Sequence, residues 1–193
     1  MTGEAWLVMG IGNAGPAYAT TRHNVGFFVT DVLGERMSGR WRPHKSRRAD
    51  VIEGRLGSPP GTRVVLGRGR GYMNESGGPV STLLAFYKIP PERLVVVQDE
   101  IDLPVGALRI KLGGGDNGHN GVRSIRGALG TGDFYRVRIG VGRPTGRQSP
   151  KDYVLKPFRK EERAEIDISV ERAADAVESL LIRGLDVTQN AFH

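Results

Sequence analysis

Six polar side chains set the question. Asn13, His23, Asn74, Asp99, His119 and Asn120 come from four separate segments, most of them glycine-rich, and Asn13, His119 and Asn120 stand directly beside glycine. An imidazole titrates near about 6.5, so His23 can take a proton from water at neutral pH, and an acid such as Asp99 can hold one tautomer of that ring. Side-chain amides donate to a carbonyl oxygen and accept from a peptide N–H, which is what recognition of a neutral acyl group requires. Taken singly, each residue also has an ordinary structural reading. His23 could bond within its own loop, Asp99 could be a turn acid, and the asparagines could be turn formers or helix caps. So many asparagines beside so many glycines, which let a backbone approach a ligand closely, favour the chemical reading.

Other chemistries find less support. The chain has no cysteine, which removes thiolate nucleophiles, disulfides and Cys-based zinc sites together. There is no G-x-S-x-G elbow, no H-E-x-x-H and no histidine pair at ligand spacing on an expected helix, so neither a serine nucleophile nor a metal is expected. The string G-I-G-N-A-G from Gly10 to Gly15 does satisfy the dinucleotide fingerprint G-x-G-x-x-G. A dinucleotide turn opens its helix at the last glycine, however, whereas here Pro16 and a polar stretch follow and the helix begins only near Asn24. No acid ends a second strand either.

The elements that must position these groups follow from periodicity. Ala5–Met9 is a short apolar run flanked by glycine, as in a buried strand, so the loop holding Asn13, Tyr18, His23 and Asn24 starts at a strand's carboxyl end, where open α/β sheets bind ligands. Val25, Phe28, Val29, Val32 and Leu33 give the first helix. Ser38–Arg48 reads as a basic surface connection. Residues 49–56 and 62–66 read as a hairpin across Ser58-Pro59-Pro60-Gly61, and Arg68–Gly71 as a loop. A helix carries Val80, Leu83, Leu84 and Tyr87, and Pro90-Pro91 ends it. Residues 94–97 form a strand whose exit holds Gln98-Asp99-Glu100, and 107–112 form another, with Arg109 and Lys111 on one side. Asn120 is placed to cap a helix with Val122, Ile125 and Leu129 inward and Arg123 and Arg126 on another face. Residues 134–141 alternate as a strand buried on one face, with Arg136 and Arg138 on the other. Residues 143–157 read as loop, a last helix spans about 160–183, and the tail after Gly184 has weak signals.

Length and charge bound the class. One core fits 193 residues, so a single α/β domain over residues 1–193 is expected, with a mixed, twisted β-sheet surrounded by α-helices. Lys and Arg number 28 against 21 Asp and Glu, a formal net charge of +7, which favours a polyanionic partner such as nucleic acid. No signal peptide or membrane-length apolar stretch is apparent, so a cytoplasmic protein with no membrane partner is expected.

Five strings in order, G-I-G-N-A-G-P-A-Y, T-R-H-N-V-G, Y-M-N-E-S-G, D-E-I-D-L-P-V-G and K-L-G-G-G-D-N-G-H-N-G, resemble those of the bacterial peptidyl-tRNA hydrolase family. The resemblance spans almost the whole chain and is weakest after about residue 150. It implies a monomeric α/β enzyme, needing no cofactor, that hydrolyses the ester between a peptide and the 3′ ribose of tRNA. It marks His23 as base and Asp99 as its partner, puts Asn13, Met73, Asn74 and Asn120 around the substrate, and puts Tyr18 near the terminal nucleotide. His119, in the same glycine-rich loop as Asn120, is expected at the substrate with them. Ala14 stands where the family usually has proline and Gln98 where it often has His or Tyr, and Asp116-Asn117 are loop variants; none of these removes a proton-transfer group. Arg109, Lys111, Arg123, Arg126 and Arg138 flank the Gly113–Gly121 loop and are candidates to hold tRNA phosphates, each with a plain solvated face as its alternative. A non-catalytic RNA-binding protein of the same fold is the runner-up.

Overall fold

The structure, a computed structural model, describes residues 4–193. Its centre is β1 (Trp6–Gly10), apolar along its length because both of its faces are covered. On one face Val8 packs with α1 (Val25–Arg36) and α5 (Arg163–Arg183). On the other, Leu7 and Met9 join α2 (Gly77–Tyr87) and α3 (Asn120–Leu129). Across the sheet the strands run β2 (Arg42–Pro43), β3 (Ala49–Leu56), β4 (Thr62–Gly69), β1, β5 (Leu94–Glu100), β7 (Tyr135–Gly140) and β6 (Leu108–Leu112). The inner four, β4, β1, β5 and β7, are parallel, while β2, β3 and β6 attach antiparallel at the edges. This is the single domain with a mixed sheet and flanking helices that the sequence implies.

The topology selects the place for a site. After β1 the chain crosses to one edge and returns inward through β2, β3 and β4, and after β5 it crosses to the other edge and returns through β6 and β7. The carboxyl ends of β1 and β5 therefore part at a switch point, the position where open α/β sheets leave a crevice. The glycines of β1 and α1 have a packing role at this end. A Cβ on Gly26 would lie 2.3 Å from the Val97 carbonyl oxygen, and one on Gly10 would lie 2.5 Å from the Gly26 oxygen. Only bare backbone lets α1 lie this close to the strand ends.

Several expectations need correction. Ser38–Arg48 is not wholly a surface connection: it contains β2, and His44 is buried with its ring edge-on to Phe86 at 4.4 Å. β4 runs on to Gly69, so Arg68 and Gly69 belong to a strand and not to a loop. Arg136 does not face solvent; it is 1% exposed, and its Nη2 donates to Gly114 O of the glycine loop and to Gly132 O ahead of β7. Residues 150–154 form a helix, α4 (Pro150–Val154), capped by Ser149, whose hydroxyl accepts from Asp152 N at 3.1 Å. That one turn is too short to show a hydrophobic period. The last long helix is α5, with a 3-10 turn at Lys160–Glu162 ahead of it. The tail forms α6 (Leu185–Phe192), which closes the free edge of β6: Gln189 Nε2 donates to Ile110 O and His193 Nε2 accepts from Ile110 N, both at 2.9 Å. An exposed strand edge is thereby paired without another strand.

Candidate active site

His23 sits in a 3-10 turn, Arg22–Asn24, immediately ahead of α1. Asp99 is the penultimate residue of β5 and only 2% exposed. His119 is the residue before α3. Three elements distant in sequence thus meet on one carboxylate: His23 Nδ1 lies 2.8 Å from Asp99 Oδ2, and His119 Nε2 lies 2.7 Å from Asp99 Oδ1. Burial alone would raise the Asp99 carboxyl, but the two histidines overcome it and hold the group well below the usual carboxylate range. Burial likewise pulls the His23 imidazole down, and the charge and hydrogen bond of Asp99 outweigh it, leaving His23 raised.

The tautomers follow from the network. An ionised Asp99 only accepts, so His23 carries its proton on Nδ1, and among the described residues nothing bonds Nε2. His119 is fixed more tightly. Its Nδ1 accepts from Gly121 N at 3.1 Å and Val122 N at 3.4 Å, so its proton must be on Nε2, toward Asp99. His119, and not Asn120, is therefore the N-cap of α3, and Asn120 is the first helical residue. An imidazole caps here because its ring nitrogen reaches the free N–H groups while its other end reaches Asp99.

This geometry also answers the metal question. Among the described residues, His23, Asp99 and His119 bring ligand-capable atoms within 4.8 Å of one another. Ligation needs a lone pair on each nitrogen, yet His119 Nε2 must hold the proton for as long as Nδ1 caps α3. A cation would have to break the cap, so the trio does not fit a resident metal.

Asn13 is held by two brackets. The Asn24 side chain accepts from Asn13 N at 2.8 Å and donates to Asn13 O at 2.9 Å. Met73 N donates to Asn13 Oδ1 at 2.6 Å, which commits the oxygen and turns Nδ2 outward as a donor. Asn13, Met73, His23, Asp99 and His119 line a cleft of about 540 Å³, together with Tyr18, Asn74, Asn120 and the α4 segment. Tyr18 and the exposed Tyr72 stand edge to face at 6.2 Å on its rim.

All eight residues singled out for catalysis or substrate line this one cleft: His23, Asp99, Asn13, Tyr18, Met73, Asn74, His119 and Asn120. Sequence reasoning missed Tyr72 and the α4 residues Lys151 and Val154. Tyr72 had a signal, standing directly before Met73-Asn74; α4 had none. The five basic residues are not in the cleft. Arg109 pairs in register with Arg138, and Lys111 with Arg136, across β6 and β7, and α3 carries Arg123 and Arg126. Arg138 lies 3.6 Å from Glu100, and Arg123 and Arg126 each lie 3.6 Å from Asp116. Lys111 makes no ion pair among the described residues, and burial with Arg138 and Arg136 lowers its pKa. Burial, with Arg126 and Arg138, pulls Arg136 down to about 10.

The family model described as peptidyl-tRNA hydrolase matches residues 7–193. The chain belongs to the peptidyl-tRNA hydrolase family. A peptidyl-tRNA hydrolase of Frankia alni is 56% identical over 97% of this chain and 93% of its own. That of Streptomyces coelicolor is 53% identical over 99% and 96%. The crystal structure of peptidyl-tRNA hydrolase from Acinetobacter baumannii superposes with a TM-score of 0.88 at 31% identity, covering 100% of this chain and 95% of that one. Membership of this hydrolase family favours the enzyme over the non-catalytic RNA binder. The fingerprint at Gly10–Gly15 has another explanation in the structure: a Cβ on Gly12 would lie 2.6 Å from Asn24 Oδ1, so this glycine makes room for the Asn24 bracket on Asn13.

Proposed function

We propose that the chain hydrolyses the ester joining a peptide to the 3′ ribose of tRNA, by general-base attack of water with no covalent intermediate. The observation that carries this is the His23–Asp99 contact at 2.8 Å, which leaves His23 Nε2 unpartnered beside the cleft. Nε2 takes a proton as the water oxygen attacks the ester carbon. Asp99 keeps the ring in that tautomer and stabilises the imidazolium. Asn13 Nδ2, turned outward by the Met73 contact, donates to the carbonyl oxygen as it gains charge. On collapse the bond to the ribose 3′ oxygen breaks, and the proton held by His23 passes to that oxygen. The products are free tRNA and the peptide acid, which gives its remaining proton to solvent and leaves as the carboxylate.

Asn74 and Asn120 supply neutral amides for the peptide, and His119 orders the loop that presents Asn120. Tyr18, with Tyr72 beside it, offers an aromatic surface to the terminal base. The tRNA phosphates cross the β6–β7 and α3 face, where Arg109, Lys111, Arg123, Arg126 and Arg138 concentrate positive charge. Arg136 braces the Gly113–Gly121 loop from within by donating to Gly114 O at 2.8 Å. No resident metal or cofactor takes part, and the enzyme works as a monomer in the cytoplasm; among the described residues no helix is long and apolar enough to cross a membrane.

The test is an assay of purified protein on N-blocked aminoacyl-tRNA beside free aminoacyl-tRNA. Release of tRNA from the blocked substrate is expected. A protein that bound this tRNA and left its ester intact would be the RNA binder instead.

A further inference from the structure

Arg22 stands next to the base in sequence, yet its side chain turns away from both the base and α1. It is 3% exposed, and both of its Nη groups bond to one stretch of chain, the segment that forms the far wall of the cleft and leads into α5. Nη1 donates to Tyr153 O at 3.2 Å and Lys156 O at 3.4 Å, the carbonyls at and just beyond the carboxyl end of α4. Nη2 donates to Glu162 Oε1 at 3.0 Å, ahead of α5. The guanidinium carbon lies 4.0 Å from the centroid of the Tyr153 ring and 5.6 Å from that of Phe158. The backbone repeats the connection, with Arg22 N donating to Lys156 O at 3.0 Å and Thr21 bridged to Pro157. On the cleft side of the same segment stand Pro150, Lys151, Val154 and Leu155.

A buried charge costs stability unless it is paired, and apolar residues would fill this space with less penalty. What an arginine adds is a planar fork that meets two carbonyls and a carboxylate at once, in fixed geometry. We propose that Arg22 is a positioning residue for the hydrolysis, holding the α4 wall at a set distance from His23 and so fixing the width of the cleft in which the acyl group lies. A one-turn helix has little means of its own to hold a position. Beside the backbone links from Thr21 and Arg22, its other side-chain tether is Tyr153, whose hydroxyl donates to Val141 O at 2.7 Å. Arg22 acts through the wall and not on the proton, because the His23–Asp99 contact does not involve it.

The inference rests on the hydrolase reading, so its test pairs kinetics with a readout that needs no activity. Lys151 is exposed on α4 and reports its opening through the rate of limited trypsin cleavage after it, whereas Lys156 precedes Pro157 and is not cut. Arg22→Met is expected to speed cleavage there and to raise KM for blocked aminoacyl-tRNA, with kcat/KM falling by about 10- to 100-fold, as misplacement by about 1 Å can cause. The acidic limb of the pH profile should not move. Arg22→Lys should recover part of the loss, and Tyr153→Phe, which removes the other side-chain tether, should raise KM in the same direction. Faster cleavage with an unchanged KM would reduce Arg22 to a structural bolt and overturn the proposal, as would a shifted pH limb. If Arg22→Met does not fold, Tyr153→Phe decides: a wild-type KM in that variant overturns the proposal. Faster cleavage of Arg22→Met alongside a wild-type protein that leaves the ester intact would sink the hydrolase reading alone and keep Arg22 as the residue that sets the wall.

Discussion

The catalytic cleft and the basic face of β6, β7 and α3 solve opposite problems. Around Asp99 each charge is met: one carboxylate serves two imidazoles, and each ring has a single tautomer that satisfies its neighbours. On the basic face, Arg109, Lys111, Arg136 and Arg138 stand opposite one another in register, with Lys111 and Arg136 both pulled below their ordinary pKa values. The first arrangement is complete without substrate. The second keeps an excess of cations over the carboxylates of Glu100 and Asp116, an excess that a polyanion would offset. Chemistry that must be repeated with the same geometry is built from satisfied groups, whereas docking is left to groups that gain by being covered.

This contrast can be broken most sharply at His23. His23→Ala should lower turnover by about 10²- to 10⁴-fold, the range of general-base help, while tRNA affinity measured by filter binding stays near that of the wild type. Near-normal turnover would remove His23 from the mechanism. A smaller loss is expected for Asp99→Asn, which disturbs the base without deleting it.

The pH profile sharpens the same point. Activity needs neutral His23, and its pKa is raised, so kcat/KM should climb with pH through a midpoint above about 6.5. In Asp99→Asn the raising charge is gone and burial acts alone, so the limb should move to lower pH. The linked stability has the matching sign: the His23 pairing contributes fully below the unfolded pKa and is lost as pH rises through the raised folded one. A limb that stayed in place in Asp99→Asn would mean that another group titrates.

Reversing Arg109 and Lys111 together should act on binding alone. KM for the tRNA substrate should rise with kcat little changed, and the log-log salt slope should flatten by roughly 0.9 or less for each phosphate no longer engaged. A short blocked-peptide ester on a lone nucleoside should feel neither change; equal damage to both substrates would make the face structural. The smallest effect expected is none at all. Dialysis against a chelator should leave turnover intact, because His119 cannot ligate while it caps α3; activity that vanished and returned with one specific metal would contradict this.

Much of this was legible in the chain because the strong signals are local. The apolar runs of β1 and β5, the amphipathic α1 and α3, and the polar groups at their ends mark both the sheet and its switch point. What stayed hidden depends on the partner and not on the segment. Arg136 alternates with Val137 as an outward residue should, but the carbonyls that bury it come from the glycine loop about 20 positions earlier. α4 has one turn, too few residues for any period, and is held in place largely by Arg22. The cap of α3 was misplaced by one residue because asparagine is the commoner cap and the reason for histidine lies across space, on Asp99.

The Asn24 side chain binds Asn13 through both its N–H and its C=O, as a neighbouring strand would, although no strand is there. Asn13 belongs to a loop by conformation but to the sheet by protection. In deuterated buffer its amide proton should persist alongside those of β1, while the amides of Gly15 and Ala17 exchange early. A loop amide with the lifetime of a strand amide would show that the reacting end of the molecule opens only when the sheet itself does.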